Sequence, residues 1–309
     1  MKNSANGAGA RKRGIWSVLW ANRASYILVA PFMIIFFLFV VWPVILSFLL
    51  SFTSYNVLES PKFVGWNNYV RLFVSDDVFL KSVGNTFILA VITGPVSLIL
   101  SLLFAWIVNE LPQKLRSLMT LIFYAPSISG TMYTIWLIIF DGDIYGYLNS
   151  ILIKLGFIQD PIQWTKDPKY MMMVVVIVQL WVSLGTSFLT LRAGFSTVDR
   201  QYYEAGAVDG IRNRWQEFRY ITFPLLTPHL MLSVILAITA AFGAEAVAST
   251  MTGFPSVNYA THTIMAHMKD YGTLRYERGY ASAMVTLLFL VCIGVNQLAQ
   301  KLLRKVGGD

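Results

Sequence analysis

Six long runs with almost no acidic or basic side chains constrain this chain more than any other feature of its sequence. They cover residues 26–52, 84–108, 118–140, 171–191, 230–252 and 280–300, and Glu245 is the one charged residue inside them. Each run is close to the ~20 residues that an α-helix needs to cross about 30 Å of hydrocarbon. The runs far exceed the ~10 residues of a membrane β-strand and do not alternate with period two. The sequence therefore predicts an all-α polytopic membrane protein with six transmembrane helices.

Composition excludes several other classes of protein. The chain is 56% hydrophobic and 13% charged, whereas an ordinary soluble domain is about 25% charged. Its net charge of +8 does not indicate nucleic-acid binding, because the basic residues are dispersed among the loops between apolar runs. Cys292 is the only cysteine, so no intrachain disulfide or cysteine-based metal site can form. His262 and His267 are five residues apart and lack a clear third ligand, so we interpret them as solvated loop residues and expect no metal site.

The distribution of basic residues predicts the orientation in the membrane. With the N-terminus inside, 15 of the 24 Lys and Arg residues face the cytoplasm, and the positive-inside rule then places both termini in the cytoplasm. The first apolar run is too long for the 7–15-residue core of a signal peptide, so we interpret it as an uncleaved span. Residues 1–25 form a cytoplasmic tail, in which Ile15, Trp16, Val18, Leu19 and Trp20 interleave with cations and favour a helix at the membrane surface.

The inner segment 194–229, between the fourth and fifth runs, has the pattern of two short helices. Asp199 is a suitable first residue for one helix, and Gly210 can supply the left-handed residue that ends it. Asn213, with Gln216 three residues later, predicts the N-cap of a second helix. Pro224 cannot donate the next backbone hydrogen bond, so we expect the second helix to end there.

These two helices carry features of a protein docking surface. Ala205, Gly206 and Ala207 reduce side-chain bulk and would let another backbone approach closely, while aromatic anchors stand nearby at Tyr202, Tyr203 and Trp215. The alternative is that both helices pack on the protein's own spans or lie on the inner face of the membrane.

The segment also resembles a known family. Glu204-Ala205-Gly206, Gly210 six residues after the glutamate, and then Phe218, Ile221 and Pro224 closely resemble the EAA loop of binding-protein-dependent ABC importer permeases. Three other segments are similar to the carbohydrate-uptake permeases related to the maltose and glycerol-phosphate systems: Phe63-Val64-Gly65-Trp66-Asn67-Asn68-Tyr69, Thr252-Gly253-Phe254-Pro255 and Gly279-Tyr280-Ala281-Ser282-Ala283. The chain departs from the family where Gly206 replaces a second alanine, Phe223 replaces a leucine, and Gly-Phe-Pro replaces Gly-Gly-Pro.

The resemblance implies a permease domain over residues 26–309 of a multi-pass protein in the bacterial cytoplasmic (inner) membrane. It also implies that the inner loop is a coupling helix pair seated in a cleft of a cytoplasmic ATPase, with Glu204 facing a cation and Gly210 allowing the bend. The implied coupling residues are Glu204, Ala205, Gly206, Asp209, Gly210, Trp215, Phe218 and Pro224. The implied partners are a second permease subunit, two ATPase subunits and an external solute-binding protein.

No Gly-x-x-x-x-Gly-Lys-Ser/Thr phosphate loop occurs in the sequence. We therefore expect ATP and Mg to bind to the separate ATPase, and this chain to bind no cofactor and to be no enzyme itself.

A translocation path for a sugar needs aromatic planes and hydrogen-bonding side chains. The candidates within the spans are Tyr124, Tyr133, Trp136, Trp181, Ser183, Thr186 and Glu245. The aromatic residues could instead be interfacial anchors, and Glu245, which needs a wet cavity, a cation or a proton at this depth, could make a structural contact. The alternatives for the whole chain are a permease for an anion such as glycerol phosphate, a secondary transporter and a membrane-embedded enzyme. The sequence shows neither the inverted repeat expected of a secondary transporter nor the cluster of acids or histidines at depth expected of such an enzyme.

Overall fold

The computed structural model describes residues 22–307, and it is helical almost throughout. Within that range the only β structure is one isolated bridge between Thr53 and Phe63. The helices are α1 (Arg23–Leu50), α2 (Asn67–Val74), α3 (Asp77–Asn109), α4 (Gln113–Ile128), α5 (Ile135–Ile139), α6 (Tyr147–Lys154), α7 (Pro168–Thr197), α8 (Arg200–Val208), α9 (Arg214–Glu217), α10 (Phe223–Leu225), α11 (Thr227–Phe242), α12 (Glu245–Thr252), α13 (Ile264–Lys269) and α14 (Arg278–Gly307).

The lengths and compositions of these helices confirm the predicted class of membrane protein. Over residues 22–307, five helical runs are long and apolar enough to cross a bilayer: α1, α3, α7, the run Thr227–Thr252 formed by α11 and α12, and α14. A sixth span results if the segments Gln113–Ile128 and Met132–Ile139 are counted together. The fold is therefore all-α and polytopic, with its spans close to the predicted positions.

The third predicted span is not one straight helix. Its two segments are bent by 89° at the break that follows Ile128. Ser129 adopts an extended conformation there, with φ −91° and ψ 107°, and it is followed by Gly130, a residue type that costs about 1 kcal/mol relative to alanine in a helix interior. Pro126, by contrast, lies inside α4. The helix therefore breaks at the Ser-Gly pair rather than at the proline.

The chain divides into two compact units, residues 1–49 and residues 50–309. In the first unit no described side chain is buried. The surface helix predicted near residues 15–20 lies outside the described residues.

The second unit has its core between α3, α7 and α11. One buried cluster comprises Ala105, Val108, Phe188, Leu191, Leu226 and Leu230, and a second comprises Leu89, Val174, Val175, Val178, Ala244 and Val247 with their neighbours. Polar side chains also connect these helices: Gln179 donates to the carbonyl of Ala240 (3.0 Å), and Ser101 donates to that of Leu184 (3.1 Å). Small and polar residues of this kind let helix backbones approach each other in a membrane, where lipid offers no competing hydrogen bonds.

Candidate functional site

The first short helix of the inner segment is capped as the sequence predicts. Asp199 Oδ1 accepts a hydrogen bond from the backbone N–H of Gln201 (3.1 Å), and α8 follows directly. Gly210 has φ +91° and lies just beyond the C-terminus of α8. A left-handed residue at this point satisfies the helix end without the steric penalty that a side chain would bring.

The second short helix begins at the predicted cap. Asn213 Oδ1 accepts from the N–H of Gln216 (2.8 Å), and Gln216 Oε1 accepts from the N–H of Arg212 (2.9 Å). The two side chains therefore satisfy backbone donors on either side of the helix start.

The prediction that this helix ends at Pro224 is wrong. A π-helical turn, Phe218–Thr222, follows α9 and leads directly into α10, where Pro224 lies in the first turn. Pro224 has no N–H, so it omits one bond from the backbone ladder of this continuous helical stretch without ending it. The N–H of Leu226 then bonds to the carbonyl of Thr222 (2.9 Å), and α11 begins one residue later. The second helix therefore runs almost without interruption into the fifth span; below, α8, α9, the π turn and α10 are together called the helix pair.

One side of the helix pair packs on the chain itself. The Phe218 ring stacks on Trp106 of α3, with ring centroids 4.7 Å apart and an interplanar angle of 27°. Tyr203 and Thr222 share a hydrogen bond of 2.9 Å that joins the two short helices. Gly206 is buried, and a Cβ at that position would lie 2.6 Å from Ile221 Cδ1. The close approach that Gly206 permits is therefore to the second helix of the same pair and not to another protein, which corrects the expectation.

The other side of the helix pair is open. Ala205, Ala207, Asp209 and Pro224 are exposed, and Trp215 is 60% exposed although its ring packs against Phe218. The carboxylate of Glu204 is largely exposed and forms a surface ion pair with Arg200 (3.2 Å). Tyr202 is also exposed. Of the side chains that sequence reasoning assigned to docking, Gly206 is buried, and Tyr203 and Phe218 are half-buried against the chain itself.

Three of the predicted path residues come together beside the breaks in the third and fifth spans. The Trp136 and Trp181 rings lie edge to face with centroids 5.7 Å apart. Tyr133 and Trp136 also pack against the cluster that contains Ala244 and Val247, at the start of α12. The indole Nε1 of Trp136 is buried and has no hydrogen-bond partner among the described residues. The cluster thus offers an aromatic pair and an unused N–H donor.

The remaining polar candidates are more dispersed. Ser183 is buried in α7 and donates to the carbonyl of Leu180 (3.2 Å), Thr186 is exposed on the same helix, and Tyr124 is half-buried on α4. The described contacts do not join Tyr124 or Thr186 to the tryptophan pair.

Glu245 begins α12, immediately after a break in the fifth span at Gly243 and Ala244. Its Oε1 accepts from the ammonium group of Lys269 (3.2 Å) and from the hydroxyl of Ser249 (2.9 Å). The sequence predicted that Glu245 needs a wet cavity, a cation or a proton. The structure supplies the cation, Lys269. Sequence reasoning missed Lys269, since nothing distinguishes it from the other basic residues of the loops.

A buried polar network that the sequence did not indicate lies where α3, α13 and α14 meet. Asp76 Oδ2 accepts from the Tyr280 hydroxyl (2.7 Å) and pairs with His267 Nε2 (2.9 Å), while Oδ1 accepts from the N–H of Phe79 (2.8 Å). His267 Nδ1 in turn lies 3.4 Å from His262 Nε2. His262 and His267 are 3% and 2% exposed, so the interpretation as solvated loop residues is wrong. The reason is that α13 packs against α3 and α14 instead of remaining in solvent.

The charges of this network respond to burial. Burial and, to a smaller extent, the nearby His267 together lower the pKa of His262 to about 4. For Asp76, burial raises the pKa, but hydrogen bonds from His267, Tyr280 and the Phe79 N–H together hold it below its usual value. The network therefore favours a charged carboxylate beside a neutral His262.

Comparisons with known proteins agree on one family. Residues 77–308 match the family described as binding-protein-dependent transport system inner membrane component. The probable ABC transporter permease protein YesP of Bacillus subtilis is 32% identical over 301 residues, which cover 96% of this chain and 94% of YesP. The arabinooligosaccharides transport system permease protein AraP of the same species is 28% identical over 304 residues, covering 97% and 95% of the two chains.

A solved structure has the same fold. It is a bacterial ABC transporter involved in the import of the acidic polysaccharide alginate, with a TM-score of 0.75 and 20% sequence identity, covering 94% of this chain and 98% of that one. The span pattern, the capped helix pair and the match over residues 77–308 lead to one conclusion: this chain belongs to the inner membrane components of binding-protein-dependent transport systems, and it is a multi-pass ABC transporter permease.

Proposed function

We propose that this permease forms part of the path for a sugar or oligosaccharide in an ATP-driven importer. Its relatives include permeases named for arabinooligosaccharides, sulfoquinovosyl glycerol and lactose. In this proposal the chain works with a second permease subunit, two cytoplasmic ATPase subunits and an external solute-binding protein, and both of its termini are cytoplasmic.

The observation that carries the proposal is that the helix pair packs on the chain's own spans on one side and is open on the other. Phe218 stacks on Trp106 of the second span, and the second helix continues almost directly into the fifth. A displacement of the exposed side, which carries Glu204 and Trp215, would therefore be passed to two spans at once. ATP-dependent closure of the ATPases would bias the spans between inward-open and outward-open states, as alternating access requires.

The substrate region proposed here is the aromatic cluster beside the two span breaks. Helix breaks within the hydrocarbon layer are tolerated where they are buried in protein or line a water-filled cavity. The residues flanking the third-span break contact α12, which begins at the fifth-span break. In this region Trp136 and Trp181 would contact a sugar in the state in which the spans open, and the Trp136 N–H, which is buried in this structure, would then donate to a sugar hydroxyl.

A permease for glycerol phosphate is the alternative substrate assignment. The sn-glycerol-3-phosphate transport system permease protein UgpA of Agrobacterium fabrum is 28% identical over 296 residues. An anionic cargo would require a free cation at the proposed substrate region, but Lys269, which contacts Glu245 at the start of α12, is already paired there (3.2 Å). This pairing favours a neutral sugar.

The coupling role is tested with Glu204→Lys in the complete transporter, reconstituted in liposomes with its solute-binding protein. The variant should assemble in the membrane, whereas uptake and the stimulation of ATP hydrolysis by loaded binding protein should fall at least tenfold. Asp160→Lys makes the same charge change at an exposed position outside the helix pair and should transport normally. Undiminished uptake by Glu204→Lys would contradict the coupling role.

The substrate assignment is tested by stimulation of ATP hydrolysis over a panel of oligosaccharides and glycerol phosphate. Trp136→Ala should reduce uptake of the preferred sugar several-fold without loss of assembly. Phe289→Ala, at an exposed ring on α14, is the matched control. Stimulation by glycerol phosphate alone would replace the sugar assignment by the anionic one.

A further inference from the structure

Two arginines without a carboxylate partner among the described residues face one pocket beside the helix pair. Arg116, in the first turns of α4, and Arg192, near the end of α7, both line a surface pocket of about 520 Å³. The rest of its wall includes the hydroxyl-bearing residues Ser117 and Thr120, and no Asp or Glu among the described residues lines it. The pocket is therefore electropositive.

Arg116 is held in place by neutral groups. Its Nη2 donates to the carbonyl of Asn109 (2.7 Å) and its Nε to that of Leu111 (3.1 Å). These carbonyls lie at and just beyond the C-terminal end of α3, where helix carbonyls lack intrahelical donors. The hydrogen bonds orient the guanidinium group, and the partial negative charge at the helix end offsets only part of its positive charge.

The guanidinium group of Arg192 has a hydrogen-bond donor that lacks an acceptor in the described part of the chain. Its Nε is buried and has no hydrogen-bond partner among residues 22–305, and the like charge of Arg116 lines the same pocket. Burying such a donor without an acceptor is unfavourable. Other arginines of the chain avoid this situation: Arg71 is paired with Glu277, and Arg275 with Asp270.

We propose that this pocket binds a phosphate group between Arg116 and Arg192. Guanidinium groups present forked N–H donors that match phosphate oxygens, and two of them can bind the same anion from different sides. A bound phosphate would supply the missing acceptor of the Arg192 Nε and would offset the repulsion between the two arginines.

The phosphate can come from an anionic phospholipid or from free inorganic phosphate. The pocket lies at the ends of the third and fourth spans, five residues before α7 ends and leads into the helix pair. Basic pockets between transmembrane helices on the cytoplasmic side bind anionic lipid headgroups, and under the proposed orientation this lipid would belong to the inner leaflet. Binding there would link α4 and α7 directly beside the helix pair.

The test measures binding to the full-length protein in the assembled transporter, purified in neutral detergent. Native mass spectrometry counts the phosphatidylglycerol molecules retained, with zwitterionic phosphatidylcholine as the comparison lipid. The wild-type transporter should prefer phosphatidylglycerol, and Arg192→Gln should weaken its retention roughly fivefold, the effect expected for one basic residue. Lys114→Gln removes an exposed charge two residues from Arg116, outside the pocket lining, and should have no effect in detergent.

A second arm identifies the source of the phosphate. Inorganic phosphate is titrated into delipidated protein while its thermal unfolding is followed. If phosphate raises the midpoint temperature of unfolding in the wild type but not in Arg192→Gln, and no lipid is retained selectively, the pocket binds free phosphate. Arg192→Lys keeps the charge and should retain part of the binding, which separates a lost ligand contact from a folding defect. If wild-type protein shows neither lipid preference nor a phosphate-induced shift, the proposal is overturned; because no transport is measured, this result does not depend on the proposed function.

Discussion

Replacing Asp76 by alanine should destabilise the protein far more than replacing its neighbour Asp77. The Asp76 side chain is 8% exposed and accepts three hydrogen bonds, from Tyr280, His267 and the N–H of Phe79. These partners lie on three separate parts of the chain, up to 204 residues away in sequence. Asp76 therefore connects the start of α3 with α13 and α14.

The magnitude follows from the groups that would be left unpaired. Loss of the N-cap interaction with the Phe79 N–H costs about 1 kcal/mol. Tyr280 and His267 would each lose a hydrogen bond to a charged acceptor, worth about 1.5 kcal/mol at the lower end of the measured range. The total is about 4 kcal/mol for Asp76→Ala. Asp76→Asn retains a capping oxygen and loses only the charged acceptor of the other two bonds, so we expect it to cost about 3 kcal/mol.

The assay is unfolding of the purified protein in mixed micelles by increasing SDS, followed by tryptophan fluorescence. Asp77→Ala is the matched control, because Asp77 is an exposed carboxylate in the first turn of the same helix; it should cost less than about 1 kcal/mol. Equal losses for Asp76→Ala and Asp77→Ala would show that the buried network does not stabilise the fold.

Three further predictions concern other contacts. Stability should fall as the pH drops from 6.5 towards 4, because His262 takes up a proton near pH 6.5 in the unfolded chain, whereas burial holds its folded pKa at about 4. His262→Gln should flatten the dependence of the thermal unfolding midpoint on pH over that range. The same pH dependence in the variant and the wild type would contradict this. Glu245→Gln and Lys269→Gln should each cost about 1.5 kcal/mol of unfolding free energy in the same SDS assay. The double variant Glu245→Lys with Lys269→Glu should recover part of that loss. No recovery would show that the ion pair does not contribute to stability. Gly206→Leu should overpack against Ile221 and destabilise the helix pair by about 2 kcal/mol. Limited proteolysis should then cleave residues 199–226 faster in the variant. Equal resistance of the variant and the wild type would refute the buried placement of Gly206.

Much of the candidate site could be predicted because its determinants are local. The caps at Asp199 and Asn213 and the left-handed Gly210 depend on interactions within about four residues. The exposed half of the helix pair was also predicted, whereas the buried position of Gly206 was not. Whether Gly206 faces Ile221 or a partner depends on how two helices pack, and spacing within one helix does not determine that.

What the sequence by itself determined is the membrane class, the approximate span positions and the capped helix pair. The transfer of apolar side chains from water to lipid is a property of each run, independent of where the run packs. Only the tertiary structure decided that His262 and His267 are buried with Asp76, that Lys269 is the partner of Glu245, and that the second helix continues past Pro224. The first two contacts join side chains from distant segments, and the third depends on a π-helical turn in the backbone. Their contribution to stability therefore exists only once the helices have packed together.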